Sequence, residues 1–166
     1  MTGTVNYEQR GAVGVVTVNN PPVNALSHSV RAGISEALSV SASDQTRATV
    51  LYCEGRTFIA GAEITEFGKP PQAPSLPDLL EQLDNHPKLT VAAIHGTALG
   101  GGFEVALTCN YRVALSSAKV GLPEVKLGLL PGAGGTQRVP RIAGVKAALD
   151  MITSGNPVAA PKAKDM

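Results

Sequence analysis

Residues 91–115 read VAAIHGTALGGGFEVALTCNYRVAL. Residues 91–94 form a short apolar run of strand composition, Gly96 and the run Gly100-Gly101-Gly102 break it, and residues 103–109 have helical composition. Residues 111–115 return to a short apolar run, which predicts a third buried strand. Strand, glycine turn, helix and strand in succession is the alternation of an α/β protein, in which stacked βαβ units are joined by right-handed crossovers.

The same alternation extends outward from this stretch. Residues 5–10 and 13–19 flank Gly11 as two β-rich runs, a hairpin signal with Val13, Val16 and Val18 as core residues, and Asn19-Asn20-Pro21-Pro22 stops the sheet. Ser27 suits a helix cap, with Val30, Ile34, Ala37 and Leu38 following on one helical face. Residues 48–53, ATVLYC, predict a short buried strand. Residues 68–77 are rich in Pro and Gly and form the best candidate for a mobile loop. Ser75 and Pro77, with Leu76, Leu79, Leu80 and Leu83, start another helix. Near the end, Val145, Ala148, Leu149 and Ile152 make an apolar helix face. Residues 155–166 are expected to add no further element, as a disordered tail or a cut chain. One domain is expected over residues 1–166, with 145–166 as its last helix and tail.

The 166 residues carry 14 Lys and Arg against 13 Asp and Glu, for a net charge of +1. With no basic block, nucleic acid and an anionic membrane surface are excluded as principal partners, because counterion-driven binding needs a clustered footprint. Charged residues are 16% of the chain, where globular domains average roughly 25%. Either another subunit covers much of the surface, or the remainder of a longer protein does. Cys53 and Cys109 lie far apart with no companion ligand spacing, so neither a zinc site nor a disulfide framework is indicated and both read as buried thiols of a reducing compartment. The N-terminus lacks a basic region followed by an apolar run, and nowhere do 18 apolar residues run together. No leader or membrane span is therefore expected, and the expected location is the cytoplasm, barring a trimmed transit peptide.

Gly100-Gly101-Gly102 follows a strand and opens a helix, so its N–H groups lie at the positive end of a helix dipole and can face an anion. No Gly-Lys-Ser/Thr follows, and neither this run nor Gly132-Ala133-Gly134-Gly135 fits G-x-G-x-x-G, so nucleotide-binding readings fail at the residue level. The other use of such a turn is an oxyanion hole, whose donors face oxygen charge developing in the transition state. Ala60-Gly61-Ala62-Glu63, also just after a strand, can supply a second donor. Tight strand-to-helix packing is the plainer explanation of either turn taken alone. Glu104 falls in the first turn of the helix, where a carboxylate complements the dipole. Glu124 sits in a segment otherwise apolar apart from Lys126, where desolvation raises a carboxyl's pKa and suits it to proton transfer near neutral pH. His28, His86 and His95 are scattered, with no nucleophile elbow beside them.

The string then resembles a known family. The runs Phe58-Ile59-Ala60-Gly61-Ala62-Glu63-Ile64, Ile94-His95-Gly96-Thr97-Ala98-Leu99-Gly100-Gly101-Gly102-Phe103-Glu104, Leu122-Pro123-Glu124, and Gly128-Leu129-Leu130-Pro131-Gly132-Ala133-Gly134-Gly135-Thr136-Gln137-Arg138 resemble the enoyl-CoA hydratase/isomerase (crotonase) superfamily. The resemblance runs from the first hairpin to the helix near Met151. It implies an α/β spiral of stacked ββα units of the crotonase, ClpP-like kind, truncated at its C-terminus. Asn20-Pro21-Pro22-Val23-Asn24-Ala25-Leu26 is similar to the hydratase halves of multifunctional fatty-acid oxidation enzymes, which carry a 3-hydroxyacyl-CoA dehydrogenase downstream.

By that resemblance, Ala62 and Gly101 supply the N–H pair that holds a thioester oxygen, and Glu104 and Glu124 flank one water. Glu104 mainly activates the water and Glu124 mainly delivers a proton to Cα. Ala60, through its carbonyl, Gly61 and Ile64 line the CoA path, and Gly132 makes a backbone contact near the water. Acyl-CoA is the substrate, with no cofactor and no metal. The expected partners are further copies of the chain or a downstream dehydrogenase. Glu63 stands where the family often has Asp, a side chain whose backbone does the work, and family members continue into further C-terminal helices. Two other activities stay open on the sequence: Δ3-Δ2-enoyl-CoA isomerisation, which needs only the Glu124 carboxylate, and a CoA-binding or assembly module with little turnover.

Overall fold

The computed structural model describes residues 4–166; residues 1–3, the start of the N-terminus read above as free of a leader, lie outside the described residues. Strands β1 (Thr4–Arg10) and β2 (Val13–Asn19) form the expected antiparallel hairpin. Val16 and Val18 are fully buried, but Val13 is only half-buried. Side chains alternate across a strand, so Val13 faces away from Val16 and Val18, and Gly14 is the inward residue at that end. The Tyr7 ring closes over Gly14 and leaves no space for a Cβ.

Helix α1 (His28–Ser43) turns Val30, Ile34, Ala37 and Leu38 into the core. Ser27 stands at its N-cap, although its hydroxyl bonds that of Ser29 and not a backbone amide. Strand β3 (Ala48–Cys53) pairs parallel to β2, and β4 (Leu89–Ile94) parallel to β3. Between them, α2 (Leu76–Asp84) begins at a capping box in which the Ser75 hydroxyl accepts from Asp78 N and the Asp78 carboxylate accepts from Ser75 N. Ser75→Ala is expected to cost about 1 kcal/mol, read as a lower urea midpoint at unchanged slope.

The chain then winds between two sheets. From β4 it crosses to β5 (Thr97–Leu99) in the second sheet, returns through α3 (Gly101–Thr108) to β6 (Tyr111–Ala114), parallel to β4, and crosses again to β7 (Lys119–Gly121), parallel to β5. The large sheet runs β1-β2-β3-β4-β6, so the stacked ββα spiral expected from the sequence is present. All of α3 is buried, and Leu26, Phe58, Ile59 and Leu122 among its surroundings are inaccessible to solvent. Cys53 and Cys109 are buried free thiols, and burial pushes Cys109 up to about 11.

Three expectations need correction. Residues 111–115 are not a buried strand, because β6 closes the large sheet as an edge and Tyr111, Val113 and Leu115 are each 57% exposed. An apolar run reports composition but not the layer in which it lies. The last long helix starts earlier than its apolar face suggested: α4 covers Gly135–Ser154 and is broken at Gly144 (φ 83°, ψ 161°), where two helical segments meet. Ala148 and Met151 of this helix are buried while Val145 and Leu149 face outward. Finally, residues 155–166 do add structure, as β8 (Val158–Ala159), antiparallel to β7, and the short helix α5 (Ala160–Lys164). No helix among the described residues is long and apolar enough to cross a membrane.

Candidate active site

Three chain segments from successive turns of the spiral end side by side. Leu99 N donates to Ile59 O at 3.0 Å and Gly100 N donates to Gly121 O at 2.9 Å, which lays residues 59–62, 99–101 and 121–124 against one another. Gly100 (φ 52°, ψ −130°) makes the turn from β5 into α3 in a conformation essentially restricted to glycine. Phe103 N and Glu104 N both donate to Gly100 O, at 2.9 Å each. The Gly101 amide, first in the helix, finds no acceptor among the described residues, and neither does the Ala62 amide. A Cβ on Gly101 would lie 3.9 Å from Ala62 N, so the two free donors are close neighbours at the positive end of α3. Gly102 abuts the Ile59 carbonyl so closely that no Cβ fits between them.

A polar staple that the sequence reading missed holds the Ala62 segment. Asn24 is buried at φ 53°; its Oδ1 accepts from Asn20 N at 2.8 Å and its Nδ2 donates to Glu54 O and Thr57 O at 2.8 and 3.0 Å. Ala60 N donates to Val23 O, and Leu26 N to Gly61 O at 2.9 Å. The available signal was an Asn in a Pro-rich turn, a residue that tolerates left-handed backbone and bonds to nearby main chain.

Glu104 projects from α3 into the core, where its Oε1 accepts from Ala133 N and Gly135 N at 2.8 Å each. Burial pushes its carboxyl above the ordinary range, against the pull of those two amides and of Arg138. Glu124 opens the 3-10 turn Glu124–Leu127, with Oε1 only 3.1 Å from where a Cβ on Gly100 would stand. Its buried Oε2 has no hydrogen-bond partner among the described residues. Burial raises the Glu124 carboxyl, its own backbone amide opposes this, and the charge of Glu104 adds to the rise. The charge of Glu104 thus reaches Glu124 beside the amide pair, where an acid and a base can act on one substrate.

The remaining expected residues lie around this centre. Ala60 and Gly61 are half-buried next to the Ala62 amide, while Ile64 is 65% exposed on the 3-10 turn Ile64–Glu66. Gly132 is exposed in the turn that holds Glu104, but the amides that do so belong to Ala133 and Gly135. A cavity of about 590 Å³ opens beside Ala62, lined in part by Arg31, Glu66, Phe67 and Leu76. His95 bonds Gly55 O at 3.0 Å through Nε2 and packs on Tyr52, away from these groups. No cluster of three potential metal ligands exists among the described residues.

A winding of ββα turns that presents two amides without acceptors among the described residues beside one buried and one half-buried glutamate defines a crotonase-type α/β protein. The chain belongs to the enoyl-CoA hydratase/isomerase family, whose model matches residues 8–166. It is 50% identical over 153 residues to the peroxisomal bifunctional enzyme of Danio rerio, covering 92% of this chain and 21% of that protein. It is 44% identical over 162 residues to a probable enoyl-CoA hydratase of Bacillus subtilis strain 168, covering 93% of this chain and 63% of the relative. Among solved structures, an enoyl-CoA hydratase subunit I from Geobacillus kaustophilus HTA426 superposes with a TM-score of 0.90 at 39% identity, covering 97% of this chain and 65% of that one. The chain thus spans about a fifth of the first relative and under two thirds of the second.

Proposed function

We propose that this chain hydrates a trans-2-enoyl-CoA to the 3-hydroxyacyl-CoA, a step of fatty-acid β-oxidation. The observation that carries the reading is the meeting of the buried Glu104 carboxylate and the half-buried Glu124 carboxylate, both raised by burial, with the Ala62 and Gly101 amides that lack an acceptor among the described residues. The amides stabilise the enolate-like charge that grows on the thioester oxygen as water adds. The Glu104 carboxylate takes a proton from water, the water oxygen bonds to Cβ, and the protonated Glu124 gives its proton to Cα. One proton has then moved from Glu124 to Glu104 by way of substrate and water, and its return resets the pair. A pair that resists double ionisation holds one proton, and so supplies the base and the acid together.

Isomerisation is the second reading, since shifting a double bond needs only a carboxylate at Cα. Two amides holding Glu104 in place favour hydration, because isomerisation has no use for a second positioned carboxylate. The test follows enoyl-thioester absorbance with crotonyl-CoA. Loss of absorbance by the folded chain supports hydration; a chain that converts only a 3-enoyl-CoA to the 2-enoyl isomer is an isomerase.

The raised carboxyls also predict a bell-shaped dependence of kcat/KM on pH. As pH falls, Glu104 takes up a proton and loses its role as base; as pH rises, Glu124 loses the proton it donates. Because both carboxyls are raised, the acid limb should lie above the ordinary carboxylate range. We infer further that the outward apolar side chains of β6 and α4 are covered in the working enzyme by another copy or by a dehydrogenase module. The bifunctional name of the Danio rerio relative supports the latter.

A further inference from the structure

Arg31 is the one charged residue that α1 buries. Its guanidinium gathers three backbone carbonyls and one carboxylate. Nη1 donates to Leu26 O at 2.7 Å and to Glu66 Oε2 at 2.8 Å, Nε donates to Pro74 O at 2.9 Å, and Nη2 reaches Gln72 O at 3.5 Å. Leu26 bridges in parallel to Ala62, and Glu66 ends the 3-10 turn that follows Ala62. Residues 72–74 lead into α2, whose Leu76 side chain comes within 2.9 Å of where a Cβ on Gly101 would stand. Glu66 completes the arrangement: its Oε1 accepts from His28 N at 2.6 Å, and the His28 ring bonds Ala73 O at 2.9 Å. The loop read from sequence as mobile is thus tied at three consecutive residues.

We propose that Arg31, braced by Glu66, is a positioning residue that sets the Ala62 amide against Gly101 and ties residues 72–74 down beside the substrate cavity. Nothing in the sequence reading or in the relatives' names assigns this side chain a part in the reaction, and the proposal rests on the hydratase reading above. Arg31 lines the 590 Å³ cavity together with Ala62. Its fork reaches a carbonyl and a carboxylate from one nitrogen and two loop carbonyls from the others, which a lysine ammonium has no geometry to match. Burial pushes the Glu66 carboxyl up, but Arg31 and the His28 amide outweigh it and hold it below the ordinary carboxylate range.

The test compares the full chain with Arg31→Met, Arg31→Lys and Glu66→Gln. It measures thermal midpoint, kcat and KM for crotonyl-CoA, and the absorbance red shift of a bound dimethylaminocinnamoyl-CoA, whose chromophore reports polarisation of the thioester carbonyl. Arg31→Met should lower kcat by about 10-fold or more with KM nearly unchanged, because misplacing a reacting group by an ångström can cost about 100-fold. It should also shrink the red shift, and Arg31→Lys should restore part of both. A lowered midpoint with kcat and red shift intact would overturn the proposal and leave Arg31 a stabilising residue. If Arg31→Met does not fold, Arg31→Lys and Glu66→Gln decide the matter: full kcat and full red shift in both overturn it. An unsubstituted chain that binds the probe with neither red shift nor turnover removes the hydratase reading itself, and this proposal with it.

Discussion

Glu104→Gln is expected to slow hydration of crotonyl-CoA by on the order of 1,000-fold while leaving a folded protein. The expectation of a preserved fold comes from the hydrogen bonding. Only Oε1 of Glu104 is engaged by Ala133 N and Gly135 N, and a carboxamide oxygen accepts the same two bonds. What the carboxamide cannot do is take a proton from water. The charge argument points the same way for stability. A buried carboxyl whose pKa is raised on folding contributes stability below its unfolded pKa, and loses it as pH rises through the folded value. At neutral pH the substitution removes that burden, so the unfolding midpoint should hold or rise. Loss of the Glu104 charge should also let the Glu124 carboxyl fall toward the ordinary range. The absorbance assay and circular dichroism check both halves, and a variant within tenfold of the parent would take the base role away from Glu104.

Gly101→Pro should cost about 100-fold or more in rate by removing one amide donor. Position 101 is the first residue of α3, where proline's fixed φ suits a helix and its missing N–H breaks no helical bond. The substitution does bring side-chain atoms against Leu76 and Leu26, 2.9 and 3.3 Å from a Cβ. Gly101→Ala introduces the same contact and keeps the N–H, so the ratio of the two rates isolates the donor. Equal activity in the two variants would show that the Gly101 amide does not hold the thioester oxygen.

Legibility of the sequence tracked how local each signal was. The hairpin, α1, β3 and α2 rest on alternation, helical spacing and a serine and proline at a helix start, all of which act over a few residues. The glycine run announced the turn into α3, although the helix begins at Gly101, before the first apolar residue that marks it. Val13 was misplaced by parity, β6 by its edge position and Val145 by a helix whose apolar arc is wider than its buried arc. Each of those depends on what lies across the sheet or helix, which no window of sequence contains. The site divides likewise. Glu104 stood out singly as a carboxylate in the first turn of a helix and Glu124 as one in apolar company, and the family resemblance paired them. The Asn24 staple and the Arg31 clamp each include bonds to main chain 30 to 43 residues away, and the identity of a side chain says nothing of which distant carbonyls will meet it.

The bonds from Leu99 to Ile59 and from Gly100 to Gly121 fix the separation of Ala62, Gly101 and Glu124 by the pitch of the winding. Lengthening or shortening the chain within a single revolution, as between residues 67 and 71, which line the cavity outside the Arg31 clamp, changes what overhangs the cavity without altering that pitch. Chemistry and reach are thus separately adjustable in this architecture. A lineage can trade one overhang for another, admitting bulkier or slimmer thioesters, while the reacting groups keep their spacing.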